Sequence, residues 1–292
     1  MTAADLDLRK LRYFVAVAEE RHFGRAAQRL HIAQPVLSRQ IRSFESDLGV
    51  QLFVRDSRGT QLTAAGSQLL TDAKVLLAET SALRQRLSRA AAPTVTVTVG
   101  VMGGLLATAA ATAFEAAGPN RRAVIVPVSW NDFVQVVRNG DVDVVYAREP
   151  FDHRGLGVAP LLEEPLDALL PADDPLAAKA SVRLADLSDK PLLQDPATLP
   201  VRDRADLLTL RQATPPRTVR SIEEKLEFVA ARAGFVVLPR STTEFYRRRD
   251  LRTVPIEDIG PSRVSLIWNA RTDDPLRDEF VAAALACRDQ TI

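Results

Sequence analysis

Gln34, Ser38, Arg39 and Arg42 bring an amide, a hydroxyl and two guanidinium groups together within nine residues, with Pro35 beside the first of them. Side chains of these types can read DNA. Glutamine can bridge N6 and N7 of adenine, arginine can bridge O6 and N7 of guanine, and serine serves either a base or a phosphate. No acidic residue follows before Glu45. Leu37, Ile41, Phe44 and Leu48 recur at i, i+4, i+7 and i+11, a spacing that predicts a helix burying this stripe and leaving Gln34, Pro35, Ser38, Arg39 and Arg42 outside. Pro35 suits the start of such a helix, where its missing N–H would be unpaired anyway. An ordinary amphipathic helix with a solvated polar face fits the same period.

The neighbouring segments supply what a DNA-reading helix needs. Leu11, Phe14, Val15 and Ala18 put one apolar stripe on a first helix. A short second helix follows, with Gly24 as its expected cap and Ala26, Ala27 and Leu30 facing inward; His31-Ile32-Ala33 makes the turn. Two short helices joined by a tight turn describe a helix-turn-helix spanning Phe23 to Arg42, the second helix lying in the major groove. Leu52-Phe53-Val54-Arg55 then reads as a strand, Asp56-Ser57-Arg58-Gly59 as a turn and Thr60-Gln61-Leu62 as a return strand. In such a wing Arg55 and Arg58 can reach phosphates or an adjacent minor groove.

Thr63 is placed to cap a longer helix running to about Ala92, which Pro93 ends. Gly66, Leu69, Ala73, Leu76, Thr80, Leu83 and Leu87 are spaced alternately three and four apart, a heptad seam with Arg84, Arg86 and Arg89 outside it. A stripe this narrow favours pairing of two such helices over packing on the chain's own domain. Two-fold pairing in turn predicts an inverted-repeat DNA site.

From Val95 strands and helices alternate: strand 95–101, helix 104–117, strand 123–128, helix 131–138 and strand 142–147. A second set begins at Leu166 to Leu170 and continues through Pro191-Leu192-Leu193, helix 203–211, helix 221–232, strand 235–238, helix 241–248 and strand 264–268, before a final helix 275–288. Repeated β-α units predict parallel sheets with helices on both faces. Two sets divided near residue 165 predict two lobes with a cleft between them. Ligands of open α/β sheets bind beyond the carboxyl ends of strands, which selects Gly103 and Gly104 after the first strand, Trp130 and Asn131 at the next helix start, Arg148 after a strand end, and Arg220 before helix 221–232. The N–H groups near Gly103 and Gly104 could receive a carboxylate, although the G-x-G-x-x-G spacing of a dinucleotide site is absent. A surface or inter-lobe ion pair is the plainer account of each arginine.

Catalytic chemistry finds little support. The chain holds three histidines, of which His153 alone lies outside the first module; His22 and His31 read as packing or surface residues. Neither a G-x-S-x-G elbow, a P-loop nor an H-E-x-x-H motif occurs. The carboxylate pairs Glu163-Glu164 and Asp173-Asp174 sit beside prolines and read as solvated charge. One cysteine, Cys287, excludes an internal disulfide and argues against a cysteine-based zinc site. No metal or cofactor is expected.

Of the 292 residues, 46% are hydrophobic and 26% charged, the ordinary mixture of a folded protein long enough for more than one core. The net charge of +1 conceals an asymmetry. Residues 1–92 carry 14 Lys/Arg against 9 Asp/Glu, and residues 93–292 carry 24 against 28. A basic end ahead of an acidic remainder suits one end meeting a polyanion. The uncharged stretch from Pro93 to Phe114 could span a bilayer by length, but Thr/Val alternation, Gly100, Gly103, Gly104 and an Ala/Thr-rich tail fit a strand, a turn and a buried helix. Acidic and basic residues interrupt the N-terminus, so no export signal is read and a cytoplasmic location is expected.

The segment LRYFVAVAEERHFGRAAQRLHIAQPVLSRQIRSFESDLGVQLFVRDSRGTQLTAAG resembles the winged helix-turn-helix of LysR-type transcriptional regulators, across positions 6–66 and without gaps. Within that family IAQPVLSRQI is most similar to members that sense benzoate, muconate and related acids. GDVDVVYAR, EEPLDALLPADDPLA and GFVVLP resemble landmarks of its effector domain. The resemblance implies a fold combining α+β with α/β: a winged helix-turn-helix over 1–65, a linker and dimerisation helix over 63–92, and a two-lobed, periplasmic-binding-protein-like effector domain over 93–292. Its lobes are expected at about 93–165 plus 269–292 and at 166–268. It implies DNA contacts at Gln34, Pro35, Ser38, Arg39, Arg55 and Arg58, to which the helix pattern adds Arg42, and dimerisation through Leu69, Ala73, Leu76, Thr80, Leu83 and Leu87. Implied partners are double-stranded DNA, further copies of the chain as a dimer or tetramer, a small organic acid and RNA polymerase. The sequence departs from the family at Ala33, where many relatives place a Ser or Thr cap. Gly104 also replaces a usual hydroxyl residue, and the indole of Trp130 stands near where a second is usual, which points either to a different, more apolar effector or to a poorly liganded pocket. A transporter's solute-binding protein fits residues 94–292 but leaves the first 92 unexplained.

Overall fold

The computed structural model describes residues 6–56, 59–90, 94–200, 210 and 221–292. Contacts divide the chain into two units, the first built on Met1–Leu87 and the second on Ser88–Val137 with Asp141–Ile292.

In the first unit α1 (Leu8–Glu20) starts at Asp7, whose Oδ1 accepts from the backbone N–H of Arg9 at 2.7 Å and Lys10 at 3.3 Å. These hydrogen bonds, Arg9 first, hold the Asp7 carboxyl below its ordinary range. Helix α2 (Phe23–Arg29) is capped by His22 rather than by Gly24: the imidazole Nδ1 accepts from Gly24 N at 3.0 Å and Arg25 N at 3.3 Å. His22 is thus a surface residue, one that caps a helix. The turn places His31 at φ 54° and leads into α3 (Gln34–Leu48), whose cap position, Ala33, makes no side-chain bond. Leu37, Ile41 and Phe44 are buried as their spacing predicts, but Leu48 is exposed because the helix outruns the core and turns away at Gly49, φ 67°. Strands β1 (Phe53–Asp56) and β2 (Gly59–Leu62) pair antiparallel, Phe53 opposite Leu62. Phe53 projects into the helical core, 5.4 Å from the Phe14 ring and 5.9 Å from Phe23.

Helix α4 (Ala64–Ala90) begins with Thr63, whose Oγ1 accepts from Gly66 N at 2.9 Å. The seam then divides. Gly66 lies so close under the Leu52 carbonyl that a Cβ there would collide with it. Leu69 and Ala73 pack on the core of their own unit. Leu76, Leu83 and Leu87 stand exposed, Leu87 at 64%.

The second unit holds two sheets. Strands β3 (Val95–Val101), β4 (Arg121–Pro127), β5 (Val144–Arg148), β6 (Leu156–Glu164) and β10 (Ser262–Asn269) lie in the order β4-β3-β5-β10-β6. β3 is parallel to β4 and β5, while β10 runs antiparallel to β5 and β6. Helices α5 (Thr108–Ala116), α6 (Phe133–Asn139) and α9 (Pro275–Ala286) accompany them, and Phe114, Phe133, Tyr146, Leu266 and Phe280 fill the core. The second sheet, of β7 (Leu166–Pro171), β8 (Val236–Pro239) and β9 (Leu251–Pro255), is antiparallel in the order β8-β7-β9. Helices α7 (Ile222–Ala230) and α8 (Arg240–Phe245) belong with it. β7 is buried on both faces: Ala168 and Leu170 meet one core, Leu169 the other.

Several expectations need correction. Among the described strands only β4, β3 and β5 pair in parallel. The strand expected to end the second lobe, β10, lies inside the first sheet, so the chain returns to that sheet before Ser262 rather than at 269. α5 opens at Thr108, four residues late, because Gly103 and Gly104 form a turn with Gly104 at φ 88°. Leu192 makes one isolated bridge, to Phe235, in place of a strand. The expected helix 203–211 lies outside the described residues except for Leu210. No helix among the described residues is long and apolar enough to cross a membrane.

Candidate DNA-reading helix and effector lobes

The outer face of α3 carries the predicted groups. Gln34, Pro35, Arg39 and Arg42 are exposed and Ser38 is half-buried; an Arg42 Nη2 lies 3.4 Å from Ser38 Oγ. Two contacts that sequence reasoning missed set this helix against its neighbours. Glu45 Oε1 accepts from the N–H groups of Leu52 at 2.8 Å and Phe53 at 3.2 Å, which fixes the wing to the last turns of α3. Lys10 Nζ bridges Asp47 at 2.6 Å and Ser43 at 2.8 Å, tying α1 to the same end. Both are surface charges by type, and only the fold gives them partners. Arg55 stands on β1 opposite Thr60, and Arg58 lies outside the described residues. The result is a helix whose first three turns carry Arg39 and Arg42 and no acidic group, beside a two-stranded wing.

The predicted effector residues separate. Arg148, at the end of β5, has no solvent-exposed surface: its guanidinium is ion-paired with Glu164 and donates to Ser241 Oγ at 2.8 Å and Ser262 Oγ at 3.4 Å. Burial pulls the guanidinium below its ordinary range while Glu164 opposes that shift. Glu164 is correspondingly buried, contrary to the reading of Glu163-Glu164 as solvated charge, and also accepts from Ser241 N at 2.8 Å. β6 ends at Glu164 and β7 starts at Leu166, so the cluster stands at a crossing where Pro165 alone separates strands of the two sheets. In this arrangement Arg148 presents nothing to a ligand, and its ion pair is neither on the surface nor between lobes: both partners lie in the first sheet, and only Ser241 comes from the helix after β8.

Gly103 and Gly104 are likewise not at a helix start. Gly103 O accepts from Thr242 Oγ1 at 3.2 Å, and a Cβ on Gly104 would stand 2.7 Å from Thr242 Cα. The glycines let the loop after β3 seat on the backbone of α8. Beside them Tyr246 lies 3.3 Å from the Cβ position of Gly103. Its phenol is pushed up by burial and by Glu223, whose carboxyl is held down by its own backbone N–H, Ser221 and the Tyr246 hydroxyl. Trp130 (38% exposed) and Asn131 remain accessible in the turn before α6, where Ser129 Oγ accepts from Asn131 N at 3.2 Å. Arg220 lies outside the described residues. Among the described residues no His, Cys, Asp and Glu group could hold a metal ion.

Comparison with known proteins agrees with this division. Residues 8–67 match the family described as bacterial regulatory helix-turn-helix protein, lysR family, and residues 89–287 match the LysR substrate binding domain. The uncharacterized HTH-type transcriptional regulator YnfL of Escherichia coli (strain K12) is 32% identical over 275 residues, which cover 90% of this chain and 92% of YnfL. The crystal structure of CbnR, a LysR family transcriptional regulator, aligns with a TM-score of 0.62 at 25% identity, covering 96% of this chain and 98% of CbnR. Full-length CbnR complexed with its target DNA aligns at 0.59, again at 25% identity, covering 96% and 99%. Matched through both its helix-turn-helix and its larger domain, the chain belongs to the LysR family of DNA-binding transcriptional regulators, and is not an enzyme.

Proposed function

We propose that the protein binds an interrupted inverted repeat in double-stranded DNA as a dimer or tetramer, and that a small organic acid bound by its periplasmic-binding-protein-like lobes alters that binding. The observation that carries the DNA-reading half is the exposed face of α3, Gln34, Pro35, Arg39 and Arg42 with Ser38, held beside a wing by Glu45. Arg55, and Arg58 outside the described residues, serve phosphates or a minor groove in this reading, and RNA polymerase follows as a partner from the family. Dimerisation rests on the later part of the α4 seam, the exposed Leu76, Leu83 and Leu87 with the half-buried Thr80. Leu69 and Ala73 serve their own unit's core instead.

Similarity of the IAQPVLSRQI segment to aromatic-acid sensors supports the acid, and the accessible Trp130 and Asn131 support a flat ligand near the end of β4. With Arg148 enclosed, the acid's charge is met elsewhere, with Arg220 the remaining arginine of the original set. The ligand need only prefer one arrangement of the lobes, since equal affinity for both shifts nothing.

Footprinting with full-length protein and its Arg39→Ala variant tests the reading. Loss of one base-edge contact should cost about 1–3 kcal/mol and relax preference at one position per half-site. Unchanged affinity and preference would remove Arg39 from the site. For the effector, a tryptophan-fluorescence and thermal-shift screen of benzoate and muconate against uncharged analogues decides. Stabilisation by the analogues alone would exclude an acid.

A further inference from the structure

We propose that Val36 is a further specificity-determining residue, its side chain seated against the 5-methyl group of a thymine; this rests on the reading of α3 as the DNA-contacting helix. Val36 is 37% exposed and belongs to none of the apolar clusters that hold the first unit together. It lies in the first turn of α3, between Pro35 and the buried Leu37 and three residues before Arg39, so it forms one flank of the exposed face. Residues at the N-terminal end of a recognition helix are the ones that reach base edges.

The fold itself gives no reason for a valine there. A β-branched side chain is stiff in a helix and lowers its propensity, and alanine would serve an exposed position better. Left in water, the two methyl groups add nothing to the core. The other exposed apolar residues of this region, Leu48, Val50 and Val54, lie at the far end of α3, after it and on the wing. What the major groove offers an apolar side chain is the methyl of thymine, which distinguishes T·A from every other pair. The arrangement therefore combines polar readers, Gln34, Ser38 and Arg39, with an apolar reader, Val36, beside the exposed Pro35 on the same turns.

The test uses full-length protein and the duplex it enriches from random sequence, with each thymine of a half-site replaced in turn by deoxyuridine, which deletes only the methyl. The wild type should lose about fourfold in affinity at one position, the effect of one buried methyl-sized group. Val36→Ala, at an exposed helical position, should fold normally, bind the thymine duplex with a similar loss, and be indifferent to uridine at that position. The proposal is overturned if the wild type tolerates every such replacement, or if Val36→Ala keeps the full penalty. Failure to enrich any duplex would overturn the regulator reading itself and this inference with it.

Discussion

At the scale of single residues, Arg148 shows how environment reassigns a side chain. By type and position it could clamp a carboxylate, yet it is fully buried with Glu164, Ser241 and Ser262 around it, and its Nε finds no acceptor among the described residues. A buried ion pair is costly to assemble and costlier to halve. Arg148→Ala should leave the buried Glu164 without its counter-ion, lowering stability by about 3–5 kcal/mol in urea unfolding. Replacing both partners together by alanine should cost less than the two single losses added, because no lone charge remains. A simple loss of ligand response at unchanged stability would restore the clamp. Gly104 teaches the same lesson: its value here is the missing Cβ, which admits the backbone of Thr242.

At the scale of elements, α4 serves two purposes along its length. Its first turns pack on the wing and helices, so Gly66→Ala, driven into the Leu52 carbonyl, should cost roughly 1–3 kcal/mol as overpacking does. Thermal denaturation would detect this, with association through the later turns unaffected. Glu19 on α1 couples three helices, accepting from Arg29 Nη1 of α2 at 2.8 Å and pairing with Lys74 Nζ of α4 at 3.0 Å. Burial raises its carboxyl, but Arg29 and Lys74 outweigh burial and hold it below its ordinary 4.5. A depressed folded value means that the stabilisation is complete above the unfolded value and disappears as pH falls through the folded one. Wild-type stability should therefore drop more steeply than that of Glu19→Gln between about pH 5 and 3. Parallel acid curves for the two proteins would show that Glu19 contributes nothing.

At the scale of the whole molecule, the exposed leucines of α4 call for a partner. Leu83 at 49% and Leu87 at 64% exposure continue the seam beyond the point where their own unit covers it. Leu76→Asp with Leu83→Asp should place like charges in the paired seam and dissociate it in analytical ultracentrifugation. Affinity for an inverted repeat should fall with it, while a single half-site is bound as before. Dimers persisting through this seam would refute the pairing.

The N-terminal unit was largely legible in the amino-acid sequence because its signals are local. Leu37, Ile41 and Phe44 declare a buried face at helical spacing, Thr63 and Pro35 mark helix starts, and of the residues left off that face the structure exposes Gln34, Pro35, Arg39 and Arg42 and half-buries Ser38. The same patterns located most strands and helices of the larger unit to within a few residues. They did not reveal β6, where Pro160 and the Glu163-Glu164 pair disguise a strand, or β9, with little apolar alternation to announce it. Alternation of period two says which face is buried, not which strand is the neighbour or which way it runs. Antiparallel pairing of β10 between β5 and β6 is settled by hydrogen bonds between segments far apart in the chain. The fates of Arg148, Glu164 and Gly104 were decided in the same way. Their chemistry is written in the sequence, but whether a charge meets water, a ligand or its opposite depends on what the tertiary fold brings beside it.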